Sequence, residues 1–340
     1  MGSSLSTNRF PVQGRTVLIT GASRGTGLEA ARQLAAKGAN VMIVARDAKR
    51  LREGVASLRE AAVCPETQRF HFIPADLTDA ETCIHVMSQA TEWNSGQPPD
   101  VVWSLVGSAY PHLFVETDIS RLRDELTTNY FANAFMAHAA LKTWLREPNE
   151  PAGDAQTMRR KDAAPRHLVF TSSFQALYSM VGYTSYGPAK TALRSLSDSL
   201  SQELHLYAAA NPSWRPIRVH TIFPSTIFGE SYEAENLVKP DVNKMLEETD
   251  PGQTAEVVAR KSIQGLESGH ELITCDILAR FVLSTVFGTS KRGGFFRTLA
   301  DWAMGCLGLL ILIFVRWDMD RKVRNFGRRH GHLGAKRQTE

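Results

Sequence analysis

The chain has 340 residues, 43% hydrophobic and 22% charged, with 24 Gly and 15 Pro. That fits one large α/β unit or two smaller domains and excludes a disordered or collagen-like chain. The net charge is only +4, but from Arg316 to Glu340 eight Lys and Arg meet three Asp and Glu, a local +5 that leaves residues 1–315 near −1, so the body offers no basic face to nucleic acid.

Residues 1–13 read as an N-terminal arm. Its start, Met1-Gly2-Ser3-Ser4-Leu5-Ser6, fits the short and common myristoylation pattern, and it lacks the apolar run of a signal peptide. Residues 17–20 form an apolar, β-branched strand, and a glycine-rich turn follows. A helix over 28–37 is stopped by Gly38, and 41–45 is a second strand. The helix over 48–62 puts Leu51, Val55 and Leu58 on one face. Strand 70–74, a helix near 79–93 and the apolar run 101–106 come next. A long helix spans about 119–145, then strand 167–171, a helix over about 185–208 and strands at 217–222 and 271–275. Residues 146–166 break the rhythm and read as a solvated loop. Strands alternating with helices predict an α/β fold: a doubly wound, parallel Rossmann-type sheet with helices on both faces, over residues 14–275. Cys64, Cys83, Cys275 and Cys306 are scattered, with no CxxC pair or zinc spacing, so reduced thiols and no metal are expected.

The turn Thr20-Gly21-Ala22-Ser23-Arg24-Gly25-Thr26-Gly27 lies between strand and helix, where a dinucleotide pyrophosphate meets helix N-terminal amides. Gly21 permits the turn, and Gly25 and Gly27 permit close approach. The second strand ends Ala45-Arg46-Asp47. Arg46 sits where an acid would bind the ribose of NAD, and Arg24 lies in the turn; two guanidiniums favour a 2′-phosphate, hence NADP(H), while Asp47 pulls the other way. Asp76, followed by Leu77, is placed to bond the adenine or to cap a turn.

Tyr186 and Lys190 stand four apart at a helix start that Thr184 or Ser185 can cap. A cation so placed is expected to lower the Tyr186 pKa and make it a general acid. Ser172 and Ser173 end the preceding strand, and a hydroxyl there stabilises a developing alkoxide. Asn129 sits inside the long helix, a poor place for Asn, and is read as holding a water or the Lys190 backbone in a proton relay.

These motifs resemble the short-chain dehydrogenase/reductase family. The resemblance implies a catalytic Ser173 (with Ser172 as the alternative), Tyr186 and Lys190, with Asn129 completing a tetrad. Lys190 would also hold the nicotinamide ribose, and Pro224 and Ile227, in Phe223-Pro224-Ser225-Thr226-Ile227, would cradle the carboxamide. Gly107 is kept in Ser104-Leu105-Val106-Gly107, but the family's usual Asn pair is not. Homo-oligomers are common in the family; no residue here fixes one.

The last third points to lipid. Residues 277–288 are largely apolar, and 303–315 carry no charge. Trp302 and Trp317 flank that run like interfacial anchors. Residues 276–317 are expected to be membrane-associated and 318–340 to form a basic tail, with span and interfacial dip both open. Asn8-Arg9-Phe10-Pro11-Val12, Ala35–Val41, Tyr183–Lys190, Glu235-Asn236 and Lys239-Pro240 resemble the branch of the family, above all in fungi, that reduces a 3-keto long-chain base to sphinganine. That implies NADPH, a lipid-like ketone and the cytosolic face of the endoplasmic reticulum membrane. Another hydrophobic ketone, or a non-catalytic NADP-binding scaffold, are the alternatives.

Overall fold

The computed structural model describes residues 8–146, 163–291 and 293–331. The myristoylation pattern, most of the 146–166 loop and the end of the basic tail lie outside the described residues.

Strand β1 (Thr16–Thr20) leads into helix α1 (Gly25–Ala35), β2 (Asn40–Ala45) into α2 (Ala48–Ala61), and β3 (Phe70–Pro74) into α3 (Ala80–Trp93). After β4 (Val101–Ser104) come α4 (Ile119–Leu126), a π-turn over Thr127–Phe131, and α5 (Ala132–Trp144). Strand β5 (Arg166–Thr171) precedes α6 (Tyr186–Ala210), and β6 (Ile217–Phe223) precedes β7 (Ile227–Phe228), α7 (Glu230–Val238) and α8 (Asp241–Glu247). Then β8 (Gln253–Thr254), α9 (Ala255–Glu267), β9 (Leu272–Thr274), α10 (Ile277–Thr285) and α11 (Phe295–His330) close the described chain.

Seven strands form one parallel sheet in the order β3-β2-β1-β4-β5-β6-β9. Strand residues alternate between two cores, as a sheet buried on both faces requires. Val17 and Ile19 meet Leu34, Leu51, Val258 and Ile263 from α1, α2 and α9. Leu18 meets Met87, Met136, Leu193 and Leu200 from α3, α5 and α6. Phe10 and Val12 join the first core, so residues 8–13 are woven into the body. The strand order reverses between β1 and β4, which opens a crevice at their carboxyl ends.

The long helix expected over 119–145 is interrupted by the π-turn, with Asn129 inside it. The apolar run expected over 303–315 and part of the basic tail make one continuous helix, α11, of 36 residues. Its inner edge carries Asp301, Gly305 and Gly308. A Cβ on Gly305 would stand 2.7 Å from the Ser284 carbonyl oxygen, so the glycine lets α11 press onto the end of α10. Asp301 is buried and ion-paired with Arg280 (3.2 Å) and Arg297 (3.7 Å). The outer face exposes Phe295, Phe296, Trp302, Leu310, Ile313, Phe314 and Trp317. By length and composition α11 could cross a membrane.

Candidate active site

The glycine-rich turn sits at the crevice. Gly21 has φ +68° and Gly25 +58°, left-handed values that favour glycine. A Cβ on Gly21 would lie 2.8 Å from the Leu105 carbonyl carbon, and one on Gly27 2.5 Å from the Gly21 oxygen. A Cβ on Gly25 would meet nothing within 4 Å, so the turn is open there. Arg24 caps α1 without a side-chain bond to it, which leaves first-turn amides free for an anion. Ser23 and Thr26 share this turn. These features fit a nicotinamide dinucleotide.

The charges around the turn differ from expectation. Arg24 Nη1 and Arg50 Nη1 both bind Glu230 Oε2, at 3.0 and 2.8 Å, across the mouth of the crevice. Arg46 is exposed at the end of β2. Asp47 accepts from the amides of Lys49 and Arg50, which makes it the cap of α2. Asp76 Oδ1 is used by Thr78 in a local turn, and Leu77 is buried beneath it. Arg50 was not legible as a partner of Arg24, because their pairing needs a third residue 180 positions away.

On α6, the Tyr186 phenol faces the Ser173 hydroxyl, which pulls its pKa down against the effect of burial. Ser172 Oγ instead donates to the Lys190 carbonyl at 2.7 Å, below the site. The two serines therefore face different partners, and only Ser173 faces the phenol. Ser185 stands at the N-cap but does not cap: its hydroxyl donates to Glu125. Lys190 Nζ is 5.6 Å from the Tyr186 ring centre and donates to the Thr171 carbonyl at 3.1 Å.

The expected lowering of the Tyr186 pKa is not found. Burial raises it, and the carboxylates of Glu235 and Glu125 push the same way, against the Ser173 hydrogen bond. Lys190 does not offset this. Burial lowers its own pKa to about 8. Desolvation penalises whichever form is charged, so the free site holds a protonated phenol beside a weakened ammonium.

Asn129 grips Ser108 from both sides. Its Nδ2 donates to the Ser108 carbonyl (2.8 Å) and its Oδ1 accepts from the Ser108 amide (3.1 Å). Asn129 makes no hydrogen bond to the Lys190 backbone, one of its two expected partners; the Lys190 carbonyl accepts from Ser172. The π-turn lets Asn129 Nδ2 also reach the Glu125 carbonyl at 3.0 Å. Asn133, one turn on, holds the Val106 carbonyl at 2.9 Å, which fixes the strand end where the family's Asn pair is missing. A Cβ on Gly107 would lie 2.7 Å from Asn129 Oδ1 and 2.9 Å from Lys190 Nζ. Pro224 accepts from the Phe174 amide, and Ile227 opens β7 beside the site.

Sequence reasoning missed three carboxylates. Glu125 is buried with both oxygens engaged, by the Tyr110 amide (2.7 Å) and by Ser185. Glu235 and Glu247 both accept from Tyr183 Oη, at 2.6 and 2.8 Å. Lys239, 1% exposed, bridges the same pair. Glu235 and Lys239 stood out only through the resemblance of Glu235-Asn236 and Lys239-Pro240 to the family's substrate loop; their helical spacing alone reads as a solvated pair.

The model of the short chain dehydrogenase family matches residues 15–235. A 3-ketodihydrosphingosine reductase of Aspergillus fumigatus is 42% identical over 96% of this chain and 88% of its own. One of Neurospora crassa is 38% identical over 98% of this chain and 88% of its own. Among solved structures, a short-chain type dehydrogenase/reductase of Mycobacterium ulcerans superposes with TM-score 0.61 at 21% identity, covering 77% of this chain and 88% of its own. A putative betaketoacyl-ACP reductase gives 0.58 at 21%, over 78% and 97%. Those two likenesses concern the fold alone.

Proposed function

The chain belongs to the short-chain dehydrogenase family, and from that membership we propose that it is an NADPH-dependent reductase of 3-ketodihydrosphingosine, yielding sphinganine for sphingolipid biosynthesis. The observation that carries this reading is near-full-length identity to relatives named for that reaction. The cluster of Arg24, Arg46 and Arg50 around the end of β2 supports a phosphorylated coenzyme over NADH.

When bound, the dihydronicotinamide supplies the hydride for the ketone carbon. The chain's own residues hold and protonate the ketone oxygen. Ser173, beside Tyr186, and the phenol itself receive it as charge develops there. Tyr186 is half-buried and desolvation keeps it protonated, so it gives its proton to the nascent alkoxide. Lys190, held by Thr171, supplies positive charge behind the phenol. Asn129 fixes the Ser108 segment and so the strand end that Gly107 opens for Lys190. The exposed apolar face of α11 lies against the endoplasmic reticulum membrane on its cytosolic side. Because its opposite edge is pinned to the body at Asp301, Gly305 and Gly308, we place it along the interface.

The test is a panel of hydrophobic ketones with NADPH and NADH. The reading expects NADPH oxidation with 3-ketodihydrosphingosine at a kcat/KM at least tenfold above steroid or simple acyl ketones, and little use of NADH. Equal use of both coenzymes, or preference for another ketone, would contradict it.

A further inference from the structure

A 3-keto long-chain base carries an ammonium on the carbon next to the carbonyl. Whatever holds the carbonyl at Tyr186 therefore brings a cation close beside it, and the pocket needs a matching anion. Glu235 and Glu125 act on the phenol, and Glu247 shares Tyr183 with Glu235. Glu125 is spent: the Tyr110 amide takes Oε1 and Ser185 takes Oε2. Glu247 is spent as well, with Tyr183 on Oε1 at 2.8 Å and Lys239 on Oε2 at 2.5 Å. Glu235 differs. Tyr183 (2.6 Å) and Lys239 (2.9 Å) both fall on its Oε1, and Oε2 has no hydrogen-bond partner among the described residues. Its side chain is 17% exposed, against 9% for Glu247.

The cluster around Glu235 is short of both charge and donors. Two carboxylates face one ammonium, Lys239, which leaves a net negative charge. Tyr183 Oη has a single hydrogen for two carboxylate oxygens. Asn243, fully buried one turn before Glu247 on α8, donates to the Val181 carbonyl and packs against Gly182, the residue before Tyr183, while its Oδ1 has no donor. Tyr183 ties the cluster to the catalytic helix, its ring centre 6.1 Å from that of Tyr186. The field of Glu235 already reaches the phenol and raises its pKa after burial. Left uncompensated, the same field opposes charge developing on the ketone oxygen.

Resting on the assignment of the substrate as a long-chain 2-amino ketone, we propose that Glu235 Oε2 receives the substrate's 2-ammonium, in a pocket that Tyr183, Lys239 and Glu247 hold in place, and so selects amino ketones over plain ketones. The ammonium brings the missing positive charge and three donors. Lys239 cannot serve that end itself, because both carboxylates already hold it. Glu247 is a positioning residue, acting through Tyr183 and Lys239.

The experiment compares 3-ketodihydrosphingosine with its 2-deamino analogue, 1-hydroxyoctadecan-3-one, in the wild type, Glu235→Gln and Glu235→Asp. The wild type should favour the amino ketone by about 10- to 100-fold in kcat/KM, the worth of a charge-assisted hydrogen bond. Glu235→Gln should bring that preference to within about threefold of unity, mainly through a raised KM for the amino ketone. Glu235→Asp, which keeps the charge, should retain part of it. NADPH fluorescence reports that each variant is folded. Equal use of the two ketones by the wild type overturns the proposal and needs no variant. So does a Glu235→Gln protein that loses both rates in proportion, since that is a structural effect. A wild type that reduces neither long-chain ketone refutes the substrate assignment itself, and the proposal with it.

Discussion

At the scale of single residues, neighbouring hydroxyls have been divided between two tasks. Ser172 holds the backbone of α6 through the Lys190 carbonyl, while Ser173 faces Tyr186. Ser173→Ala should therefore lower kcat by about 10²- to 10³-fold with little change in melting temperature. Ser172→Ala should instead lower the melting temperature by about one to two degrees, since a buried hydrogen bond is worth about 1 kcal/mol, and leave a larger share of kcat. Steady-state kinetics beside thermal unfolding check the pair, and reversed effects would reassign the serine. Lys190 sets the alkaline limit. Its pKa is lowered by burial to about 8, so kcat/KM should hold below that pH and fall above it as the ammonium is lost; Tyr186, pushed up by burial, stays protonated meanwhile. The linkage to stability has the opposite sense. The unfolded chain binds the Lys190 proton up to the ordinary 10.5, so this residue's contribution rises with pH between about 8 and 10.5. A pH–rate profile beside a pH–stability profile separates the two effects.

At the scale of elements, the strand–turn–helix at the start of the chain and the four-residue spacing of Tyr186 and Lys190 were legible, because each is local. The phenol's pKa was not. The sequence shows that a cation stands one turn away, but the burial that outweighs it comes from the whole surrounding fold. Asn129 was legible only as an oddity. Its reason is a π-turn that frees its amide for Ser108 and Glu125, and such turns have no composition of their own. The carboxylates were invisible because Glu125, Glu235 and Glu247 come from three helices that meet only in space. Gly107 shows how tightly these elements close. A Cβ there would press on Asn129 Oδ1 and Lys190 Nζ; the lysine tip can move, whereas Asn129 is held by Ser108 from both sides. Gly107→Ala should keep the fold, by circular dichroism, yet lower kcat by about a hundredfold through misplaced Lys190. Unchanged kcat would mean that the close approach carries no catalytic weight.

At the scale of the molecule, the exposed apolar helix and the catalytic part are one body. Helix α11 packs on α10, and Leu312 joins the cluster of Leu177, Phe223 and Leu283, while Met319 meets the Tyr178 hydroxyl at 3.1 Å. The sequence left span and interfacial dip both open. In the structure the apolar run continues into the tail as one helix, with one edge packed on the body and its apolar side exposed. The double substitution Leu310→Asp/Phe314→Asp, at positions 64% and 71% exposed, should abolish flotation with phospholipid vesicles and keep turnover of detergent-dispersed substrate. Flotation that persists would show that other segments hold the membrane. The central claim, that a half-buried protonated phenol on α6 completes the reduction, is tested most directly by Tyr186→Phe. With NADPH and 3-ketodihydrosphingosine, sphinganine formation should fall by about 10²- to 10⁴-fold, the worth of a positioned general acid, while NADPH binding measured by fluorescence stays close to wild type. Sphinganine formed at the wild-type rate by that variant would contradict the account.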